Sequence, residues 1–209
     1  MDRFRLFEIP ATIERELIDY YRDAPHFPLD TLQQYRAELR THFGVYLLYY
    51  RGEFELYREV AARNATEPLK PIYVGKAVSS GGRTGGKSLA ENSLFRRLFE
   101  HSRTIEAAST TLHTRDFDFR VIPMKAELVG WAEQTMIRRL RPLWNSYLSG
   151  FGIHDPGKGR YEQRRSVWDQ IHPGRSWVGK MESLAAYDLQ RIRQQMLESM
   201  EVNLDTFDD

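Results

Sequence analysis

Five side chains in this sequence have the types and spacing for hydrolysis of a phosphodiester. Tyr46 and Tyr73 stand in two short strings, Gly44-Val45-Tyr46 and Tyr73-Val74-Gly75, Arg97 precedes His101 by one helical turn, and Glu133 stands alone further on. The reaction needs an activated water, neutralisation of charge on the phosphate oxygens and a stabilised leaving oxygen. One carboxylate such as Glu133 is enough to hold a Mg²⁺ ion, which prefers oxygen ligands and keeps several of its waters. Arg97 carries a planar fork of donors that never loses its charge, suited to a phosphate gaining charge in the transition state. A tyrosine beside Lys76, Arg97 and a metal is expected to have its pKa pulled below the reference of ~10. Tyr46 or Tyr73 then serves as general base, and Tyr46 is the favoured one, with Tyr73 and Lys76 orienting or activating. His101 is placed to donate to the phosphate or assist proton transfer.

These residues need strands and helices to gather them. GVYLLYY (44–50) and PIYVG (71–75) are rich in Val, Ile, Leu and Tyr and are bounded by Gly or Pro, which predicts two strands. Side chains alternate along a strand, so Tyr46 lies opposite Val45 and Leu47, and Tyr73 shares a face with Gly75. Paired as neighbours, the strands bring the tyrosines together, with Gly44 and Gly75 expected to leave room for a phosphate backbone. A helix over 93–107 carries Leu94, Phe95, Leu98 and Phe99 as an apolar stripe, with Arg97 and His101 projecting beside it. A second helix over 126–141 is expected to bury Leu128, Trp131, Ala132, Met136 and Leu140, with Glu133 next to that stripe. Ala11 to Arg22 reads as an amphipathic helix with Ile13, Leu17 and Tyr20 or Tyr21 inward. Glu53 to Asn64 reads as an inserted helix, Asp116 to Pro123 as a third strand, and Glu182 to Met200 as a long helix. Together they predict an α+β fold, a small central and mostly antiparallel sheet flanked by helices.

The order Gly-Val-Tyr, Tyr-Val-Gly, Arg-x3-His, Glu and then Asn145 resembles the GIY-YIG nuclease family. GVYLLYYRGEFELY, PIYVGKAV, RPLWNSYLSGFGIHDPGKGR and VWDQIHPGRSW look like its branch of Type II restriction endonucleases that cut the palindrome CCGCGG, a likeness spanning roughly residues 40 to 180. The resemblance implies catalytic positions at Tyr46, Tyr73, Arg97, His101, Glu133 and Asn145, with Glu133 the metal ligand and Asn145 orienting tyrosine or phosphate through its amide. Lys76 resembles a lysine found after the second string in some members. The stretch from Tyr73 to Arg97 is longer than in minimal members. One Mg²⁺ per site, with Mn²⁺ as a possible substitute, double-stranded DNA as substrate and a companion DNA methyltransferase are implied as well.

Other chemistries fit less well. GGRTGGKS (81–88) satisfies the phosphate-loop pattern, yet it neither begins where its strand ends nor opens straight into a helix, and no later strand ends in an Asp to complete a Mg²⁺ site. It reads instead as a loop whose Arg83 and Lys87 touch DNA, or as a linker. No Asp or Glu stands two residues before a Lys, and there is no cysteine and no G-x-S-x-G elbow. The absence of Cys and of a long apolar run predicts a soluble cytoplasmic protein without membrane attachment.

The net charge of +1 says little, but its distribution says more. Between Arg138 and Lys180 nine Lys and Arg face three Asp and Glu, interleaved with Trp144, Tyr147, Phe151, Tyr161, Trp168 and Trp177. That mixture suits phosphate contact and groove insertion. Within it, the non-periodic GFGIHDPGKGR (150–160) offers His154, Asp155, Lys158 and Arg160 to read a G·C-rich site. The 209 residues are read as one nuclease domain, with an N-terminal helical segment (1–40), insertions (51–70 and 77–92) and a DNA-reading loop with C-terminal extension (146–209). One metal site cuts one strand, so a palindromic duplex predicts a homodimer. A monomeric nicking or repair-type nuclease and a non-catalytic DNA-binding module are the alternatives.

Overall fold

Gly44–Tyr50 (β2) is buried at every position, because each of its faces is covered by helices. Its β-branched and aromatic side chains divide by alternation between two cores. Tyr46, Leu48 and Tyr50 enter the first, with Leu94, Leu98 and Ile105; Val45, Leu47 and Tyr49 enter the second, with Val129, Ala132 and Met136. The computed structural model describes residues 9–78, 93–155, 157, 159, 161–181, 190–192 and 194. Among them His26–Pro28 (β1), β2, Tyr73–Ala77 (β3) and Phe117–Pro123 (β4) form one sheet in the order β1-β4-β2-β3, every pairing antiparallel. The α+β architecture is as the sequence predicts.

Helices close both faces. Leu94–Ala107 (α4) starts at Ser93, whose hydroxyl accepts from the Arg96 amide, and packs Leu94, Leu98, His101 and Ile105 on the first face. Ala126–Leu140 (α5) covers the second face with Val129, Ala132, Met136 and Leu140, and ends on Arg141 in the left-handed conformation (φ 43°) ahead of Pro142. The buried stripe of α5 is rotated from the expected one: Val129 is buried where Leu128 remains 51% exposed. Ala11–Asp23 (α1) likewise buries Ile18 and Tyr21, leaving Ile13 and Tyr20 exposed. Arg36–Leu39 (α2) is short, and the insertion over 53–64 is a 3-10 turn, Glu55–Tyr57, running into Arg58–Arg63 (α3) rather than one helix. Leu143–Ser146 (α6) and Val167–Ile171 (α7) follow, a seven-residue 3-10 helix spans Leu29–Tyr35, and 190–192 and 194 are helical within the predicted C-terminal helix, the rest of which lies outside the described residues. No helix of the described residues is long and apolar enough to cross a membrane.

Glycines of the two strings serve packing. A Cβ on Gly44 would collide with the Ile122 carbonyl of β4, and one on Gly75 with the Tyr46 hydroxyl. The space expected for a phosphate backbone is therefore filled by protein, and Gly75 instead lets the Tyr46 ring lie across β3.

His172 lies deep in the first core, its imidazole between the Tyr57 hydroxyl and Thr111 Oγ1 at 2.8 Å. Burial pushes its pKa down to about 3 from an ordinary 6.5. Between those values the unfolded chain binds a proton that the folded one refuses, so stability present above pH 6.5 is lost as pH falls through this window. Urea unfolding is expected to show about 2 kcal/mol less stability from this residue at pH 5 than at pH 7. His172→Gln should flatten that slope; an unchanged slope would assign it elsewhere.

Candidate active site

The register pairs Tyr46 with Gly75, which sets Tyr73 diagonally across on the same face. The two phenol rings lie 6.3 Å apart between centroids, and the His101 ring sits 5.5 Å from Tyr46 and 5.1 Å from Tyr73. Tyr46 is fully buried and its hydroxyl meets His101 Nε2 at 2.7 Å. One turn earlier on α4, Arg97 lies close enough for its charge to act on the same hydroxyl. Its Nη1 also donates to Glu100 Oε2 at 2.8 Å and to His154 Nε2 at 2.7 Å.

Glu133 approaches from α5 on the opposite side of β3. Its Oε2 pairs with Lys76 Nζ at 2.7 Å, and its charge acts on both Tyr46 and Tyr73. The ion pair engages one of the two carboxylate oxygens. Among the described residues no cluster of three or more His, Asp or Glu gathers as a metal cage. A single carboxylate is still an adequate protein contribution for Mg²⁺, which binds through one or two carboxylates, substrate oxygens and retained waters.

The protein groups by themselves run against one expectation. Burial raises Tyr46 well above its ordinary value, Tyr73 adds to the rise, and Arg97 only partly opposes it; burial raises Tyr73 too. Removing a phenolate from water costs more than one guanidinium returns. His101 is held well below its ordinary value, by burial first and then by Arg97. Both groups are thus neutral near pH 7, and with the imidazole proton on Nδ1 the Tyr46 hydroxyl donates to Nε2.

The family model of the Eco29kI GIY-YIG domain matches residues 38–200. The chain belongs to this family. It is accordingly a Type II restriction endonuclease, a DNA hydrolase, and GIY-YIG nucleases are typically dependent on a divalent metal. No curated protein matches the chain.

Within this GIY-YIG domain Asn145 is bonded to the strand that carries Tyr73. Its Nδ2 donates to the Val74 carbonyl and its Oδ1 accepts from the Val74 amide, each at 2.8 Å, so the side-chain amide is spent on the backbone of β3. It thereby anchors the strand that carries Tyr73. His154 stands on Arg97, while Asp155 is engaged by its own loop, accepting from the Gly157 amide at 2.8 Å and the Tyr161 hydroxyl at 3.1 Å. Arg83, Lys87, Lys158 and Arg160, with the whole of 81–88, lie outside the described residues.

Three features of the site escaped sequence reasoning. Glu100 ties Arg97 down; its place three residues on along a helix was a readable signal. Phe151 stacks on His101 with centroids 4.5 Å apart, and the buried pair Asp169–Arg175 lies behind the 150–153 segment. Neither partnership has a local signature, since each joins residues brought together only by the fold.

Proposed function

We propose that this chain cuts both strands of a short G·C-rich palindrome, CCGCGG, as a homodimer, with Glu133 holding one Mg²⁺ per site and Mn²⁺ able to substitute. The observation that carries the reading is the buried Tyr46 hydroxyl, held at 2.7 Å from a neutral His101 with the charge of Arg97 acting on it. A hydroxyl in that position can take a proton from an attacking water while passing its own to Nε2, so a tyrosine with a raised pKa still works as a general base. Arg97 offers its fork to the phosphate oxygens, and Tyr73 and Lys76 orient the water and the substrate. Bound at Glu133, the metal supplies neutralisation of charge at the phosphate and the leaving oxygen.

The basic and aromatic stretch from Arg138 to Lys180 supports DNA contact, with Asp155, Lys158 and Arg160 as base readers and Arg83 and Lys87 on the backbone. A two-fold dimer matches the symmetry of a palindrome, because each site cuts one strand. We take residues 1–209 as one nuclease domain, working in the cytoplasm beside a methyltransferase that protects host sites.

The test is cleavage of plasmids with and without CCGCGG in Mg²⁺. Discrete double-strand fragments confined to the first plasmid are expected, abolished by chelation and restored by Mg²⁺ or Mn²⁺. Nicked circles would favour a monomeric nicking enzyme, and a gel shift without cleavage a silent binding module.

A further inference from the structure

The segment from Gly150 to His154 forms a wall over the catalytic cluster. Phe151 lies flat on His101, 4.5 Å between centroids and 18° between planes, and edge-on to Tyr73 at 5.0 Å. At Gly152 there is no space for even a methyl group: a Cβ would lie 2.7 Å from the Tyr73 hydroxyl. His154 accepts from Arg97 at 2.7 Å. One short segment thus touches three of the side chains assigned to the chemistry.

The segment has no helical or strand ladder of its own, so its shape must be imposed from outside. Arg175 imposes it. This guanidinium, only 8% exposed, donates through Nη2 to the Gly150 carbonyl at 2.9 Å, and through Nη1 to the carbonyls of Phe151 at 3.3 Å and Ile153 at 2.8 Å. Nε and Nη2 pair with Asp169 Oδ1 at 2.7 and 2.6 Å. These five contacts match the five N–H donors of an arginine. Its planar face lies between the indoles of Trp168 and Trp177, 5.0 and 4.8 Å from the ring centroids. Asp169 is itself fixed by Ser166, which donates to Oδ2 at 2.7 Å and caps α7.

We propose that Arg175, clamped by Asp169, is a positioning residue for phosphodiester hydrolysis, setting Phe151, Gly152 and His154 so that His101, Tyr73 and Arg97 keep their working orientations. The inference rests on the hydrolytic reading of this site. A lysine retains the charge opposite Asp169 but has three donors on one atom and cannot span three carbonyls.

Arg175→Lys and Gly152→Ala are to be compared with the wild type in cleavage kinetics, thermal unfolding and the NMR shifts of the His101 ring protons, which sense the stacked Phe151. Each variant is expected to lose on the order of 10²-fold in kcat with KM nearly unchanged, because misplacement of reacting groups acts on the chemical step. The His101 signals should move and the cleavage site should stay the same. Gly152→Ala leaves the ion pair intact, so it decides the matter if Arg175→Lys does not fold. A folded variant of either kind that cuts with wild-type kcat, or that changes KM alone, overturns the proposal. If the wild type itself cuts no DNA, the hydrolytic reading fails instead, and unmoved His101 signals in Arg175→Lys would then refute the clamp separately.

Discussion

Tyr46→Phe is expected to cut DNA about 10²- to 10⁴-fold more slowly than the wild type, the range lost when a positioned proton acceptor is removed. Phenylalanine keeps the ring that fills the first core and deletes only the hydroxyl bonded to His101. The fold should lose little, about 1 kcal/mol for an unmade hydrogen bond. Single-turnover cleavage of a short duplex, with binding followed by fluorescence anisotropy, separates the chemical defect from affinity, which should hold. The wild-type pH profile carries a second signature. Burial drives Tyr46 up and His101 down, so neither titrates between their ordinary values of 10.0 and 6.5, and the relay contributes a flat rate across that interval. A base that worked as a standing tyrosinate would give a rate climbing tenfold per pH unit below its pKa. Retention of near wild-type cleavage by Tyr46→Phe would remove this tyrosine from the mechanism.

Glu133→Gln should be silent in cleavage, down by about 10³-fold or more, because the several kcal/mol supplied by a metal at a phosphoryl centre go with the ion. The change is nearly isosteric, and the Lys76 pair it breaks involves a 40% exposed lysine, so the expected stability cost is below about 1 kcal/mol. Titration calorimetry with Mg²⁺ or Mn²⁺ gives a readout independent of turnover: heat of binding in the wild type and none in the variant. A variant that still binds the ion with wild-type affinity would move the metal away from this carboxylate.

Much of this arrangement can be read in the residues before folding. The strings around Tyr46 and Tyr73 announce strands by their β-branched and aromatic content, and the turn between Arg97 and His101 follows from helical spacing. Burial was less legible. Whether α5 turns Leu128 or Val129 inward depends on which face of the sheet it meets, a matter of a fraction of a turn. The sign of the tyrosine shifts depends on how much water is excluded around them, which composition does not reveal. The partner of Asn145 is the backbone of Val74, and a main-chain partner leaves no mark in the sequence. The three-residue β1, containing Pro28, has no alternation to detect and exists because β4 offers it a free side.

The place of β3 at the margin of the sheet has one more consequence. An outermost strand normally exposes a row of amides and carbonyls that invites another chain to add to it. Here Val74 is saturated by Asn145, and the Ile72 carbonyl accepts from the Trp144 amide at 2.8 Å. The single-turn helix α6 therefore acts as a guard against intermolecular β-addition along this part of the edge.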